Sequence, residues 1–81
     1  MTWHIYIIEC IDGSLYTGIT NDLGKRITAH NEGRGAKYTK TRRPVRLRYN
    51  EQVTNRKSAS QREYAIKTLS RAAKIELIKN I

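Results

Sequence analysis

Five side chains in this chain have types and spacings suited to chemistry: Tyr6, Tyr16, Arg26, His30 and Glu63. Arg26 and His30 stand four residues apart, one turn along a shared helix face if the segment is helical. A guanidinium beside an imidazole can hold a phosphoryl group and move a proton, although R-x-x-x-H alone equally describes a solvent-facing pair. Tyr6 and Tyr16 flank the turn signal Asp12-Gly13. With Ile11 paired near Ser14, the two tyrosines fall within a few residues of being opposite, and their hydroxyls could converge; two core tyrosines would fit the same facts. A free phenol titrates near about 10, so catalysis at neutral pH needs a cation or metal that favours the phenolate. Glu63 lies between Arg62 and Lys67. Its i, i+4 relation to Lys67 fits an ordinary helix salt bridge. It also fits a single carboxylate ligand for Mg²⁺, which often takes one or two protein carboxylates and completes its shell with water and phosphate.

The basic residues are unevenly placed. Arg34, Lys37, Lys40, Arg42, Arg43, Arg46 and Arg48 fall in one run that contains no acid, with Tyr38 among them. Such density suits a phosphate backbone, because each neutralised phosphate releases condensed counterions. Tyr38 could stack on a base or sugar. An ordinary solvated charge run is the plain alternative. No zinc-finger, helix-turn-helix or RNP-type signature accompanies the run, so no device for sequence readout is visible.

These residues must be positioned by few elements. Residues 3–11 are β-branched and aromatic, with both parities largely apolar, which predicts a central strand covered on both faces. Residues 14–20 predict its antiparallel return, where Gly18 marks a bulge or a place where another backbone or a ligand comes close. Asn21 or Asp22 can cap a helix from Leu23, which Gly33 or Gly35 stops. Residues 33–44 read as a loop. Over 45–53, Val45, Leu47, Tyr49 and Val53 share one parity, which predicts a half-exposed edge strand. Ser58 can cap a helix over about 59–69, where Ala59, Arg62 or Glu63, Ile66 and Leu69 space as one helical face, and Ser70 a last helix from Arg71 to about Lys79 with Ala72, Ile75 and Ile78 or Leu77 inward. The order β-β-α-β-α-α predicts an α+β domain, a small three-stranded antiparallel sheet flanked by helices.

With 81 residues, one domain over 1–81 is expected, with a small core. The net charge of +9 points to a polyanion, nucleic acid before an anionic membrane surface. No apolar stretch approaches the roughly 20 residues of a membrane span, and the N-terminus shows no secretion signal. Cys10 is the only cysteine, so no internal disulfide or Cys-based zinc site forms, and a reducing cytoplasm is the expected location. His4 reads as a strand-surface or packing residue.

Taken together, the motifs resemble the GIY-YIG nucleases. His4-Ile5-Tyr6 and Tyr16-Thr17-Gly18 are similar to the two half-motifs, Arg26-Ile27-Thr28-Ala29-His30 to the helix motif, and Glu63 to the metal-binding glutamate. The stretches His30-Asn31-Glu32-Gly33, Gly35-Ala36-Lys37-Tyr38-Thr39 and Arg43-Pro44-Val45 are similar to the small one-domain branch. The triplets lack the Gly of the first half-motif and the Ile of the second, positions the family does not use for chemistry. The resemblance implies a metal-dependent DNA endonuclease with one Mg²⁺ or Mn²⁺ ion, structure-directed or weakly sequence-specific, serving DNA repair, recombination or processing. It implies Tyr6 as general base or relay, Tyr16 orienting water or phosphate, Arg26 stabilising phosphate charge, His30 hydrogen-bonded to the tyrosine, and Glu63 on the metal. Gly18, Asn31 and Lys67 are candidate auxiliaries. Two other readings use the same basic loop: a non-catalytic DNA- or RNA-binding module, and a nuclease subunit that needs a protein partner or a homodimer.

Overall fold

A computed structural model describes residues 2–79. The expected domain over 1–81 reaches past these limits, and Met1, Asn80 and Ile81 lie outside the described residues. The elements are β1 (Trp3–Glu9), β2 (Leu15–Thr20), α1 (Leu23–Asn31), α2 (Lys37–Lys40), β3 (Arg46–Val53), α3 (Arg56–Lys67) and α4 (Arg71–Lys79). The expected α+β architecture and order hold, with the single-turn α2 added inside the segment expected to be loop. The sheet is antiparallel in the order β2-β1-β3, so β1 is central and β3 lies at an edge, as its patterning requires.

Alternation along β1 sends its side chains into two layers. Ile5 and Ile7 join Tyr49, Ala59, Ile66 and Ile78 beneath α3 and α4. Tyr6, Ile8 and Cys10 join Val45, with Tyr16, Leu23 and Ile27 packed against them beneath α1. Burial on both faces is why neither parity of β1 is polar. Strand β1 stops at Glu9, two residues short of the expectation, because Cys10 and Ile11 turn into the hairpin loop.

The hairpin register differs from the expected one. Cys10 N–H donates to the Ser14 carbonyl at 2.9 Å, and Gly13, at φ +84°, donates to Cys10. The loop is therefore three residues, Ile11 to Gly13, with glycine in the left-handed position that such loops favour. Tyr6 pairs with Gly18 and Ile8 with Tyr16. Pairing Ile11 with Ser14 would have shifted every partner by one and put the two tyrosines on opposite faces. The observed register puts them on the same face.

A bulge corrects the reading of β3. Ile7 faces Tyr49 but Ile8 faces Leu47, leaving Arg48 as the extra residue. The bulge reverses the alternation, so Val45 and Leu47 lie on the α1 side while Tyr49 and Val53 lie on the α3 side. Leu47, expected inward, is 38% exposed.

The caps are local. Asp22 accepts from Lys25 N–H at 3.1 Å, and Ser70 from Ala73 N–H at 3.1 Å, both as expected. Helix α1 ends at Gly33, whose φ of +83° lets Arg34 N–H reach back to the Ala29 carbonyl at 2.8 Å. Helix α3 begins nearly a turn earlier than expected. Asn55, in extended geometry, caps it by accepting from Ser58 N–H at 2.8 Å, so Ser58 lies inside the first turn. Leu69 falls past the end of α3, and Ala72 is exposed, so neither joins the core. Among the described residues, no helix is long and apolar enough to cross a membrane.

Thr17 stands opposite Ile7, so it faces the α3 side. It is 3% exposed, and its hydroxyl finds no partner among the described residues. An unsatisfied buried hydroxyl is destabilising relative to a methyl group of the same shape. Thr17→Val is expected to raise the unfolding free energy by about 1 kcal/mol in urea melts. An unchanged or lowered value would show that the hydroxyl is satisfied in solution.

Candidate active site

The site is built on a polarised hydrogen-bond chain. Thr39 donates its hydroxyl proton to the Ala36 carbonyl at 3.1 Å, so toward His30 it can only accept. His30 Nδ1, 2.8 Å away, must therefore carry the ring proton. In the neutral ring Nε2 is then an acceptor, and the Tyr6 hydroxyl donates to it at 2.8 Å. Arg26 Nε donates to the Tyr6 oxygen at 3.3 Å, while Arg26 Nη2 is anchored on the Gly35 carbonyl at 2.7 Å. The chain runs from β1 through α1 to the α2 turn, and the Tyr6, His30 and Thr39 side chains are fully buried.

Two glycines make the space. A Cβ at Gly18 would lie 2.4 Å from the Tyr6 hydroxyl oxygen, and one at Gly35 would lie 2.3 Å from His30 Nδ1 and 2.7 Å from the His30 Cα. Gly18 therefore marks neither a bulge nor a backbone or ligand approach: the Tyr6 side chain fills the space beside it. In the sequence Gly35 reads only as a helix stop; its role depends on a contact that local sequence does not display.

Electrostatics agrees with the hydrogen-bond directions. Burial, followed by the positive charge of Arg26, lowers the His30 pKa to about 4, so the ring is neutral at pH 7. Burial raises the Tyr6 pKa above its usual value, while Arg26 opposes this through its hydrogen bond and charge. Tyr6 thus keeps its proton at neutral pH and points it at a neutral imidazole. Nearby Tyr16 and the negative charge of Glu63 also raise the Tyr6 pKa. Glu63 comes from α3, which packs on β2 from the opposite layer. Its carboxylate is partly buried and 3.4 Å from Lys67. The sequence-predicted Tyr6, Tyr16, Gly18, Arg26 and His30 thus meet at the β2 side of the sheet, and Glu63 is near enough for its charge to act on the Tyr6 hydroxyl.

Tyr16 adds a wall. Its ring meets His30 edge-on at 5.4 Å between centroids and stacks on Tyr38 at 5.9 Å. The Arg42 guanidinium lies 4.0 Å from the Tyr38 ring centre. Asn31 is directed elsewhere: its side chain accepts from Val45 N–H at 2.7 Å and donates to the Val45 carbonyl at 3.1 Å, clamping α1 to the entry of β3.

Much of the basic run is engaged within the fold. Arg42 donates to Asp12 and to the Tyr38 carbonyl. Arg43 donates to the carbonyls of Lys40 and Asn31. Arg46 and Arg48 share Glu9, and Arg34 pairs with Glu32. Acids absent from residues 34–48 arrive from β1, the hairpin and the end of α1. Lys37 and Lys40 have no ion-pair partner among the described residues and are exposed.

No group of three or more His, Cys, Asp or Glu gathers among the described residues. A transition-metal site of protein ligands alone does not fit these residues. A hard divalent cation does, since one carboxylate with water and substrate phosphate suffices for it, and Glu63 is the acid at the site.

A catalytic domain built on a three-stranded sheet and a Tyr-His-Arg cluster is what this fold and site define. A family model described as the GIY-YIG catalytic domain matches residues 2–76, and the chain belongs to this family, one of endonucleases. Within it, the chain is similar to the UPF0213 protein SSP2268 of Staphylococcus saprophyticus, 57% identical over 75 residues that cover 93% of this chain and 92% of that protein. The UPF0213 protein DP2720 of Desulfotalea psychrophila is 54% identical, over 95% of this chain and 71% of that protein. Among solved structures, the solution structure of the UPF0213 protein BH0048 from Bacillus halodurans matches at 44% identity and a TM-score of 0.63, over 98% of this chain and 84% of that one. That of EF2693 from E. faecalis matches at 39% identity and a TM-score of 0.67, over 99% and 85%.

Two outcomes follow from the buried chain. The His30 pKa is depressed on folding, so the unfolded state binds the proton more readily between about pH 6.5 and 4. Stability from this residue is complete above about pH 6.5 and is lost as pH falls through about 4, on the order of 3 kcal/mol in all. Urea melts across this range measure the loss, and an NMR titration of His30 near its ordinary value would refute its cause. Separately, Gly18→Ala is expected to lose about 1–3 kcal/mol by overpacking against the buried Tyr6 ring. Wild-type stability in that variant would show that the ring can yield.

Proposed function

We propose that this protein is a DNA endonuclease that hydrolyses phosphodiester bonds with one bound Mg²⁺ or Mn²⁺ ion. The carrying observation is the polarised chain from Arg26 through Tyr6 to neutral His30, with the Glu63 charge acting on the same hydroxyl. A structure-directed or weakly sequence-specific activity in DNA repair, recombination or processing fits a basic surface that carries no device for reading bases.

The chemistry follows from the proton directions. A water attacking phosphorus must lose a proton; once substrate binding admits that water to the Tyr6 oxygen, which is sealed in the free protein, the oxygen can accept it as its own proton passes to His30 Nε2. Tyr6 then acts as a relay rather than as a preformed base, because burial keeps the resting phenol protonated. His30 can take the proton because it is neutral, and Thr39 holds its ring in the receptive tautomer. Arg26 is fixed by Gly35 and keeps guanidinium N–H groups free for a phosphate oxygen, where they oppose the charge that builds during attack. Tyr16, braced against His30 and Tyr38, orients the water or phosphate. Glu63 would hold the cation, which when bound supplies charge stabilisation at the leaving oxygen. Lys67, within 3.4 Å, would hold the Glu63 carboxylate in place.

Plasmid nicking with Mg²⁺ against EDTA, on branched and linear substrates, tests this reading. Wild type is expected to nick only with the metal. Tyr6→Phe keeps the ring but removes the relay, with an expected slowing of about 10²- to 10⁴-fold. Unchanged cleavage in Glu63→Ala would remove its metal role, and DNA binding without cleavage under any metal would leave a binding module.

A further inference from the structure

We infer a second phosphate subsite beside the reacting one, formed by Lys25, Arg26 and Arg34. The inference rests on the nuclease reading, since it takes Arg26 as the group at the scissile phosphate. Its ligand is a neighbouring, uncut phosphodiester of the same strand.

The observation is a depression of about 220 Å³ at the start of α1. Its wall includes Lys25, Arg26 and Arg34 together with Asp22. Arg26 belongs to both places: its Nε holds Tyr6 and its Nη2 holds the Gly35 carbonyl, while its side chain also borders the depression. Lys25 is exposed and has no ion-pair partner among the described residues. Arg34 pairs with Glu32, but both side chains are more than half exposed, so an incoming phosphate can exchange for that carboxylate. The one acid on the wall, Asp22, has a carboxylate oxygen engaged with the backbone N–H of Lys25 at the helix cap. The depression is thus a small concave place with excess positive charge, contiguous with the catalytic arginine, and it suits a phosphodiester better than a base or an apolar group.

Its location defines a track. Lys37 and Lys40 lie in α2, which supplies Thr39 to the same catalytic chain, while Lys25 and Arg34 lie beside Arg26. A strand crossing Arg26 would therefore meet the Lys25 and Arg34 cations next to the reacting phosphate. Such backbone contacts position that phosphate without reading sequence. Lys25 lies outside the basic run from Arg34 to Arg48, and only the fold joins it to Arg34.

The test is a binding measurement in EDTA, with no cleavage. The probes are a short DNA duplex and its single strand, each carrying one neutral methylphosphonate moved stepwise along the backbone. The double substitution Lys25→Gln with Arg34→Gln is expected to weaken binding about five- to tenfold. On the duplex it should lower the slope of log affinity against log salt by about 0.9, since one phosphate is no longer neutralised. One methylphosphonate position should weaken wild type but leave the double variant unaffected. Lys57→Gln, which removes an exposed charge on α3, is expected to bind as wild type does. Circular dichroism melts verify that each variant is folded. The inference is overturned if the double variant keeps the wild-type affinity and slope, if it stays sensitive to every methylphosphonate that affects wild type, or if Lys57→Gln loses as much. A wild type that shows the position-specific effect but cuts no substrate keeps the subsite as a phosphate site and removes the nuclease reading.

Discussion

The hydroxyl of Tyr6 donates to Nε2 of His30, with both side chains sealed from solvent, and the surrounding structure is arranged around that bond. A buried imidazole and a buried phenol each carry a desolvation penalty that only a satisfied network offsets. Thr39 satisfies the far nitrogen of His30, and Arg26 reaches the Tyr6 oxygen. The single turn α2 holds Thr39 over Ala36, and Gly18 and Gly35 leave the room that the two side chains occupy. A second proton on His30 is excluded for the same reason, so the directions of the chain are maintained across neutral pH. A network fixed in this way is preorganised: the directions of its hydrogen bonds are set before a substrate arrives.

The site draws on both layers of the fold. Helix α1 and the α2 turn supply Arg26, His30 and Thr39 over one face of the sheet, whereas Glu63 arrives on α3 from the other. The Glu51–Arg62 pair secures α3 to β3, with donor–acceptor distances of 2.8 to 3.1 Å and the Tyr49 hydroxyl donating to the same carboxylate. That brace stands one residue before Glu63 and limits how the helix can rotate. The outer strand β2 separates the two layers, and its Gly18 lets the Tyr6 ring lie across it.

The basic surface divides between construction and contact. The arginines of residues 42–48 hold carbonyls and carboxylates, so they shape the loop and the β3 entry as well as adding charge. Guanidinium groups suit this, because a planar fork can satisfy several acceptors at once. The exposed Lys37 and Lys40 carry positive charge with no ion-pair partner among the described residues. This division keeps the net charge of +9 compatible with a small, ordered domain.

The sequence by itself determined which chemistry was available and much of the scaffold. The apolar parity of β1, the caps at Asp22 and Ser70, and the one-turn spacing of Arg26 and His30 are local properties, set by residues a few positions apart. The tertiary structure alone decided how those pieces meet. One extra hairpin residue places Tyr6 and Tyr16 on one face, and one bulged Arg48 divides Val45 from Tyr49. The acidic partners of Arg42, Arg46 and Arg48, Asp12 and Glu9, lie more than 25 residues away in the chain. Gly35 and Thr39 carried no local signal for the site because their role is contact with His30. Strand pairing has a period of two, so a single residue in a loop reverses a face. The loop closed at Gly13 and the burial of β1 on both faces fit one register, and that packing is spread over the whole chain.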